Sequence, residues 1–279
     1  MFKALNAPAI GIKSLPLPDL IQLAQTTGFA GVDFDIREAH ALGPRADTLF
    51  ATTKAAQWGL PVNGPQSDWG VDLAELATLA KTAARLGSWR CATWVPSWHD
   101  SRDLAANTAW HIQALRPVAA VLADHGVALG LEFLGPKTLY AGHKHAFIHS
   151  LHPMLDMARQ IGPNVGLLLD AWHLFTSGGT LADLAGLNAT DIVHVHINDA
   201  PPDVPFDQVP DNQRHLPLET GVLDLPGFLR ALHALGYDGP VVTEPFNAPL
   251  NALAATDPAA AARKVSAAMD RLWALAAQA

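Results

Sequence analysis

The sequence predicts an α/β protein, a (β/α)8 TIM barrel forming a single domain over residues 1–279. Three observations predict it. Short β-type runs alternate with helical patterns from end to end, as parallel strands joined by crossover helices require. Glycines stand where several helical patterns stop. Four of the apolar runs end on a carboxylate or an imidazole, and the C-terminal strand ends are where such barrels build active sites.

The first strand is expected at Lys3 to Asn6, with a helix over Asp19 to Thr27 that Gly28 ends. Further strands are expected at Gly31 to Ile36, Leu60 to Asn63, Arg90 to Val95, Val127 to Phe133, Val165 to Asp170, Ile192 to Ile197 and Pro240 to Glu244. Helical spacing marks Asp72 to Leu86, Leu104 to His125, His152 to Ile161, Pro226 to Leu235 and Pro258 to Ala277, with Gly87, Gly126 and Gly236 as stops. Eight units of about 30 to 35 residues suit a barrel of ordinary size. A doubly wound open sheet is the weaker rival, because it would spread the polar strand ends along an edge. The longest irregular stretch, Ala200 to Leu223, is rich in Pro and Asp, and loops of this length usually carry function or are disordered. It is expected over the active face.

At 49% apolar and 16% charged residues, the chain can bury a large core. No linker or low-complexity stretch divides it, and the Ala-rich tail reads as an outer helix. A formal charge of -8 disfavours nucleic-acid binding, which needs a basic surface. Cys91 stands alone, so no intrachain disulfide framework exists and a reducing compartment is expected. No apolar run reaches transmembrane length and Met1 to Pro18 shows no clear cleavage pattern, so the expectation is a cytoplasmic protein with no membrane partner.

Alternation sets the faces at the strand ends. Ala128, Gly130 and Glu132 share one side, as do Leu168 with Asp170, His194 with His196, and Val242 with Glu244. Glu132, Asp170, His196 and Glu244 therefore point inward on consecutive strands. Three converging carboxylates repel one another unless a cation joins them. An oxygen-rich set with one imidazole suits one divalent ion, Mn²⁺ first and Mg²⁺, Co²⁺ or Zn²⁺ as alternatives, with positions left open for substrate oxygens. Such an ion polarises a carbonyl and stabilises an enediolate formed by proton transfer.

The order Glu132, Asp170-x-x-His173, His194-x-His196, Glu244-Pro245-Phe246 resembles the xylose-isomerase-like family of sugar phosphate isomerases and epimerases, over essentially the whole chain. The resemblance to its ketose 3-epimerase branch implies Glu132, Asp170, His196 and Glu244 as metal ligands. It implies Glu132 and Glu244 as the acid/base pair on opposite faces of the sugar, His173 as a contact to substrate oxygens, and His194 as a packing residue one layer below. Two positions depart from the branch. Thr138 stands where a glutamate is usual, and Pro202 where an arginine is usual, leaving Arg214 to supply a cation from the long insert.

Lys137, His143, His145 and Arg214 are candidates for an anionic substrate group, and Gln66 for a polar contact. Trp94, with Trp69, Trp98 and Trp172, is a candidate aromatic wall for sugar C–H surfaces. The histidine-dense segment His143 to His152 lacks carboxylates and is expected to form hydrogen bonds or a lid instead of a second metal site. The resulting expectation is a metal-dependent isomerase or epimerase acting on a sugar or keto-polyol. The alternative is a lyase or dehydratase acting on an inosose or 3-keto-sugar through the same enediolate. An AP-endonuclease-like phosphodiesterase and a non-catalytic binder are weaker readings. A homo-oligomer is expected by analogy with related barrels.

Overall fold

Eight parallel strands close on themselves as a barrel, within the residues 1–278 that this computed structural model describes. In chain order the elements are β1 (Phe2–Leu5), α1 (Leu17–Thr27), β2 (Gly31–Phe34), α2 (Ile36–Leu42), α3 (Pro44–Phe50), β3 (Lys54–Gly59), α4 (Leu73–Arg85), β4 (Arg90–Val95), β5 (Trp98–His99) and α5 (Leu104–Ala123). There follow β6 (Ala128–Phe133), β7 (His145–Ala146), α6 (Leu151–Ile161), β8 (Val165–Asp170), α7 (Ala171–Thr176), β9 (Ile192–Ile197), α8 (Leu225–Ala234), β10 (Pro240–Thr243), α9 (Ala248–Thr256) and α10 (Pro258–Ala276). Around the barrel the order is β1, β2, β3, β4, β6, β8, β9, β10 and back to β1. The short β5 and β7 pair antiparallel outside it.

Outward strand residues such as Trp58, Leu129, Leu131, Leu167, Leu169 and Val195 join the helix faces in one continuous core. The interior is filled by small residues, including Ala4, Ala56 and Val242. Gly130 is part of this taper: a Cβ there would sit 3.2 Å from Val193 Cβ and 3.3 Å from Ala92 Cβ. The four glycines expected to stop helices, Gly28, Gly87, Gly126 and Gly236, have φ of 87°, 72°, 68° and 81°, left-handed values that a Cβ disfavours.

The third strand differs from the sequence expectation. It is Lys54–Gly59, and Leu60 to Asn63 forms the loop after it. The Lys-Ala-Ala opening of β3 has weak β propensity, and the pairing with β2 skips Ala56 as a bulge, so the alternation is broken where a strand pattern would be sought. Helices α2, α3, α7 and α9 are also additions. Each has nine residues or fewer, too short for a helical period to stand out.

The long insert is held at both ends by the buried carboxylate of Asp199. Its Oδ1 accepts from the N–H groups of Ala200 and Leu223, and its Oδ2 from those of Thr220 and Gly221, at 2.7 to 3.1 Å. Asp199 and His215 exchange backbone hydrogen bonds of 2.9 and 2.8 Å. These contacts seat Arg214 in the barrel mouth.

Candidate metal centre and active site

A cavity of about 970 Å³ opens among the C-terminal strand ends, lined at its floor by Asn6, Glu132, His173, His196, Arg214, Glu244 and Phe246. Register explains the convergence. Trp94 pairs with Glu132, Asp170 with His196, and Val242 with His196, so Glu244 follows two residues further along the inward side. Alternation along β9 puts His194 and His196 on the interior side together, and the pairing with β8 skips Val193 as a bulge.

Two ligand-capable groups share Glu132. Side-chain atoms of Glu132, His196 and Glu244 lie within 4.8 Å of one another, and so do those of Glu132, Asp170 and His173. His196 Nδ1 is 3.1 Å from Glu244 Oε2 and 3.5 Å from Glu132 Oε1. Asp170 sits deeper than the sequence suggested and does not line the cavity. Its Oδ1 caps α7 by accepting from Trp172 N–H at 2.8 Å, and its Oδ2 accepts from Arg214 Nη1 at 2.8 Å.

Arg214 is buried, although it comes from the insert. Its guanidinium also donates to Asp211 at 3.0 Å and lies over the rings of Trp172 and Phe246. Burial opposes its charge, but Asp170 and Asp211 outweigh that and hold it protonated.

Burial raises the Glu132 carboxyl to about 7, against the pull of His196. Burial also opposes protonation of His196, yet Glu244 and Glu132 prevail and lift it well above the usual imidazole range. Glu244 moves the other way: the charges of His196 and Arg214 overcome its burial and lower it. His173 is held well below its usual value, by burial first and by Arg214 second, and is neutral.

Beneath the floor, His194 Nε2 lies 3.5 Å from Asp33 Oδ2, and the His194 ring meets the His196 ring edge-on at 5.0 Å. Asp33 is therefore the inward aspartate of β2, while Asp35 caps α2.

Of the other residues singled out, Gln66, Trp94 and Trp98 line the outer cavity. Trp69 and Trp172 are core residues instead: Trp69 donates to His111 Nδ1 at 2.7 Å, and Trp172 is fully buried. Lys137 is exposed, pairs with Asp207 at 3.5 Å and does not line the cavity, because the turn Lys137–Leu139 directs it outward. Thr138 donates to Val209 O at the surface, and Pro202 is exposed on the insert. In the histidine-dense segment His143 stacks on Trp98 and His149 on Tyr140.

Asn6 was missed by the sequence reading, though it ends the first expected strand. Its Nδ2 donates to Glu244 Oε1 at 2.8 Å. Asp211 lies only three residues before Arg214, but no sequence pattern shows that the insert seats the pair in the barrel mouth.

Residues 21–272 match the xylose isomerase-like TIM barrel family. The chain belongs to this family. Among curated relatives, the inosose isomerase of Bacillus velezensis (strain DSM 23117 / BGSC 10A6 / LMG 26770 / FZB42) is 27% identical over 135 residues, 48% of this chain and 45% of that protein. The match thus spans about half of each. A xylose isomerase domain protein from Alicyclobacillus acidocaldarius subsp. acidocaldarius superposes with a TM-score of 0.84 at 29% identity, over 99% of both chains. The IolI protein, solved with a bound zinc atom, superposes with a TM-score of 0.75 at 18% identity, over 99% of this chain and 98% of that one.

Proposed function

We propose that the protein is a divalent-metal-dependent isomerase or epimerase acting on a sugar ketose or keto-polyol through an enediolate, with Glu132 and Glu244 moving the proton. The observation that carries this reading is the meeting of Glu132, His196 and Glu244 within 4.8 Å at the barrel mouth, with Asp170 and His173 sharing Glu132.

The residues fit a divalent ion. Glu132 Oε1 and His196 Nε2 are buried without a hydrogen-bond partner, an arrangement that is costly unless something else binds them. Charge agrees in sign: Glu132, Asp170, Asp211 and Glu244 gather near one guanidinium, that of Arg214, and a divalent ion offsets the excess of carboxylates. Glu132, Asp170, His196 and Glu244 would hold the ion, with Mn²⁺ the first candidate for an oxygen-rich donor set and Mg²⁺, Co²⁺ or Zn²⁺ the others. A zinc atom in a protein of the same fold and an inosose isomerase among the sequence relatives support the reading.

The bound ion supplies Lewis acidity to a carbonyl and its neighbouring hydroxyl oxygen. The chain does the rest. Asn6 holds Oε1 of Glu244, and Glu244, which lines the cavity, takes a proton from the carbon beside the carbonyl. Glu132, on the other side of His196 from Glu244, returns a proton to the adjacent position or to the opposite face. His173 presents an N–H to substrate oxygens, and Arg214 neutralises charge that grows on them.

Glu132→Gln and Glu244→Gln, each with metal still bound, are expected to lower turnover at least a thousandfold. Full activity in both ends this mechanism.

A lyase or dehydratase acting on an inosose or 3-keto-sugar is the second reading. Neither Thr138 nor Pro202 reaches the cavity, so the polar groups that mark the 3-epimerase branch have no counterpart at those positions, and the same enediolate can expel a leaving group. The mass of the product separates the two reactions.

A further inference from the structure

The cavity is lined by many residues besides those proposed for chemistry. The groups proposed for chemistry occupy one end, and the remainder runs outward past Trp94, Trp98, His99 and Ser101, facing Gln66 and Asn212. At about 970 Å³ it lies near the upper limit, ~1,000 Å³, of clefts that enclose a drug-sized ligand. We propose that this outer half is a second subsite, built on Trp94, Trp98 and His99, for an uncharged ring attached to the reacting keto ring, so that the substrate class is a glycoside or other two-ring compound. The inference rests on the proposed function only in placing the reacting ring at Glu132 and Glu244.

Trp94 pairs in register with Glu132, so its indole leans into the mouth on the same side as the carboxylate. It remains 41% exposed, and no aromatic ring stacks on it among the described residues. An aromatic face left bare inside a cleft suits the C–H face of a sugar ring.

Trp98 is held rigidly. One face stacks on His143 with centroids 3.4 Å apart and planes 8° from parallel. Asp100 fixes that partner by contacting His143 Nδ1 at 3.3 Å and accepting from Lys144 N–H at 3.0 Å. Pairing of β5 with β7, and the 2.7 Å bond from Phe147 N–H to Ser97 O, anchor the strand beneath. Such preorganisation reduces the ordering cost of binding.

His99 supplies a polar edge with a defined tautomer. Its Nδ1 accepts from the N–H groups of Ser101 and Arg102 at 3.1 and 2.8 Å, leaving Nε2–H as a donor. Gln66, Ser101 and Asn212 add neutral polar groups nearby.

Among the described residues, no free cation lines this half of the cavity. Arg102 is committed to Asn107 Oδ1, the Ser67 carbonyl and the Trp110 ring, and Lys137 points away toward Asp207. The composition therefore selects a hydroxylated or aromatic ring and disfavours a phosphate.

The test measures binding of unreactive ligands to the Mn²⁺-loaded full chain by calorimetry. Methyl glycosides and 4-nitrophenyl glycosides of the gluco, galacto and manno series provide one-ring and two-ring members. At least one two-ring ligand is expected to bind about tenfold tighter than its methyl counterpart, which is about 1.4 kcal/mol. Trp98→Ala should remove that ratio, Trp98→Phe should retain most of it, and Ser101→Trp, at an exposed position, should abolish it by filling the outer cleft. Equal affinities within every pair, or an unchanged ratio in both Trp98→Ala and Ser101→Trp, would overturn the proposal. Binding does not depend on proton transfer, so inactive Glu132→Gln and Glu244→Gln proteins show the same ratio, and failure of the enediolate reading stays distinct from failure of this one.

Discussion

The backbone N–H of Gly135 donates to Nδ1 of His173 across 3.2 Å. A neutral imidazole that accepts at Nδ1 carries its proton on Nε2, and that N–H faces Glu132 Oε1 at 3.8 Å and Asp170 Oδ2 at 3.9 Å. Arg214 Nη2, 3.3 Å from the same Nε2, then meets a donor and is held by the carboxylates instead. The loop after β6 thereby sets the tautomer of a residue on α7.

Gly135 has no substitute at this contact. A Cβ there would collide with the His173 carbonyl oxygen and with Thr176 Oγ1. Gly135→Ala is expected to cost about 1–3 kcal/mol through forced displacement of α7. Urea unfolding measures the cost, and a midpoint equal to that of the wild type would show that the loop absorbs the methyl group.

Metal removal should affect stability as well as activity. A ligand that binds only the folded chain stabilises it by about 2.7 kcal/mol at one hundred times its dissociation constant. Chelation is expected to lower the melting temperature and abolish turnover, and Mn²⁺ to restore both. In Asp170→Asn the Mn²⁺-dependent rise in melting temperature should shrink. A rise of undiminished size would remove Asp170 from the ligand set.

Acid sensitivity should trace in part to His111. Burial, with Arg102 second, lowers this imidazole to about 3, and its Nδ1 is already occupied by the Trp69 N–H. The unfolded chain protonates near pH 6.5 and the folded chain does not, so stability is intact above pH 6.5. It falls by about 1.4 kcal/mol per pH unit as pH drops from 6.5 toward 3. His111→Gln, which keeps an acceptor for Trp69, should be less stable at neutral pH but lose stability more slowly between pH 6.5 and 4.5. Parallel slopes for the two proteins would assign the acid loss to other groups.

Asp199 should control the insert that carries Arg214. Each carboxylate oxygen accepts two backbone N–H groups, so Asp199→Asn turns one pair of acceptor contacts into donor-to-donor contacts. A loss of about 2–3 kcal/mol follows from the unsatisfied buried groups. Limited proteolysis should cut within residues 200–223 faster than in the wild type, and an unchanged cleavage rate would argue that His215 pairing alone retains the insert.

Much of the barrel is legible along the chain because parallel strands buried on both faces read as short apolar runs, and seven of the eight lie where that pattern predicts. The third strand escapes because Ala55, Ala56 and Gln57 lack a strand's composition, and only closure between β2 and β4 makes them one. Glu132, Asp170, His196 and Glu244 are recognisable because a charge or imidazole closing an apolar run is costly without a partner, and strand alternation assigns its side.

What the sequence determined by itself is therefore the repeating frame and the inward direction of the polar strand ends, since both follow from local periodicity. Tertiary structure alone decided that Asp170 is fully buried and bound to Arg214, and that Asn6 braces Glu244 across the β1–β10 seam. Those contacts join residues 44 and 238 positions apart, and no local pattern encodes them. They exist because barrel closure and the Asp199 clasp bring those positions to one place.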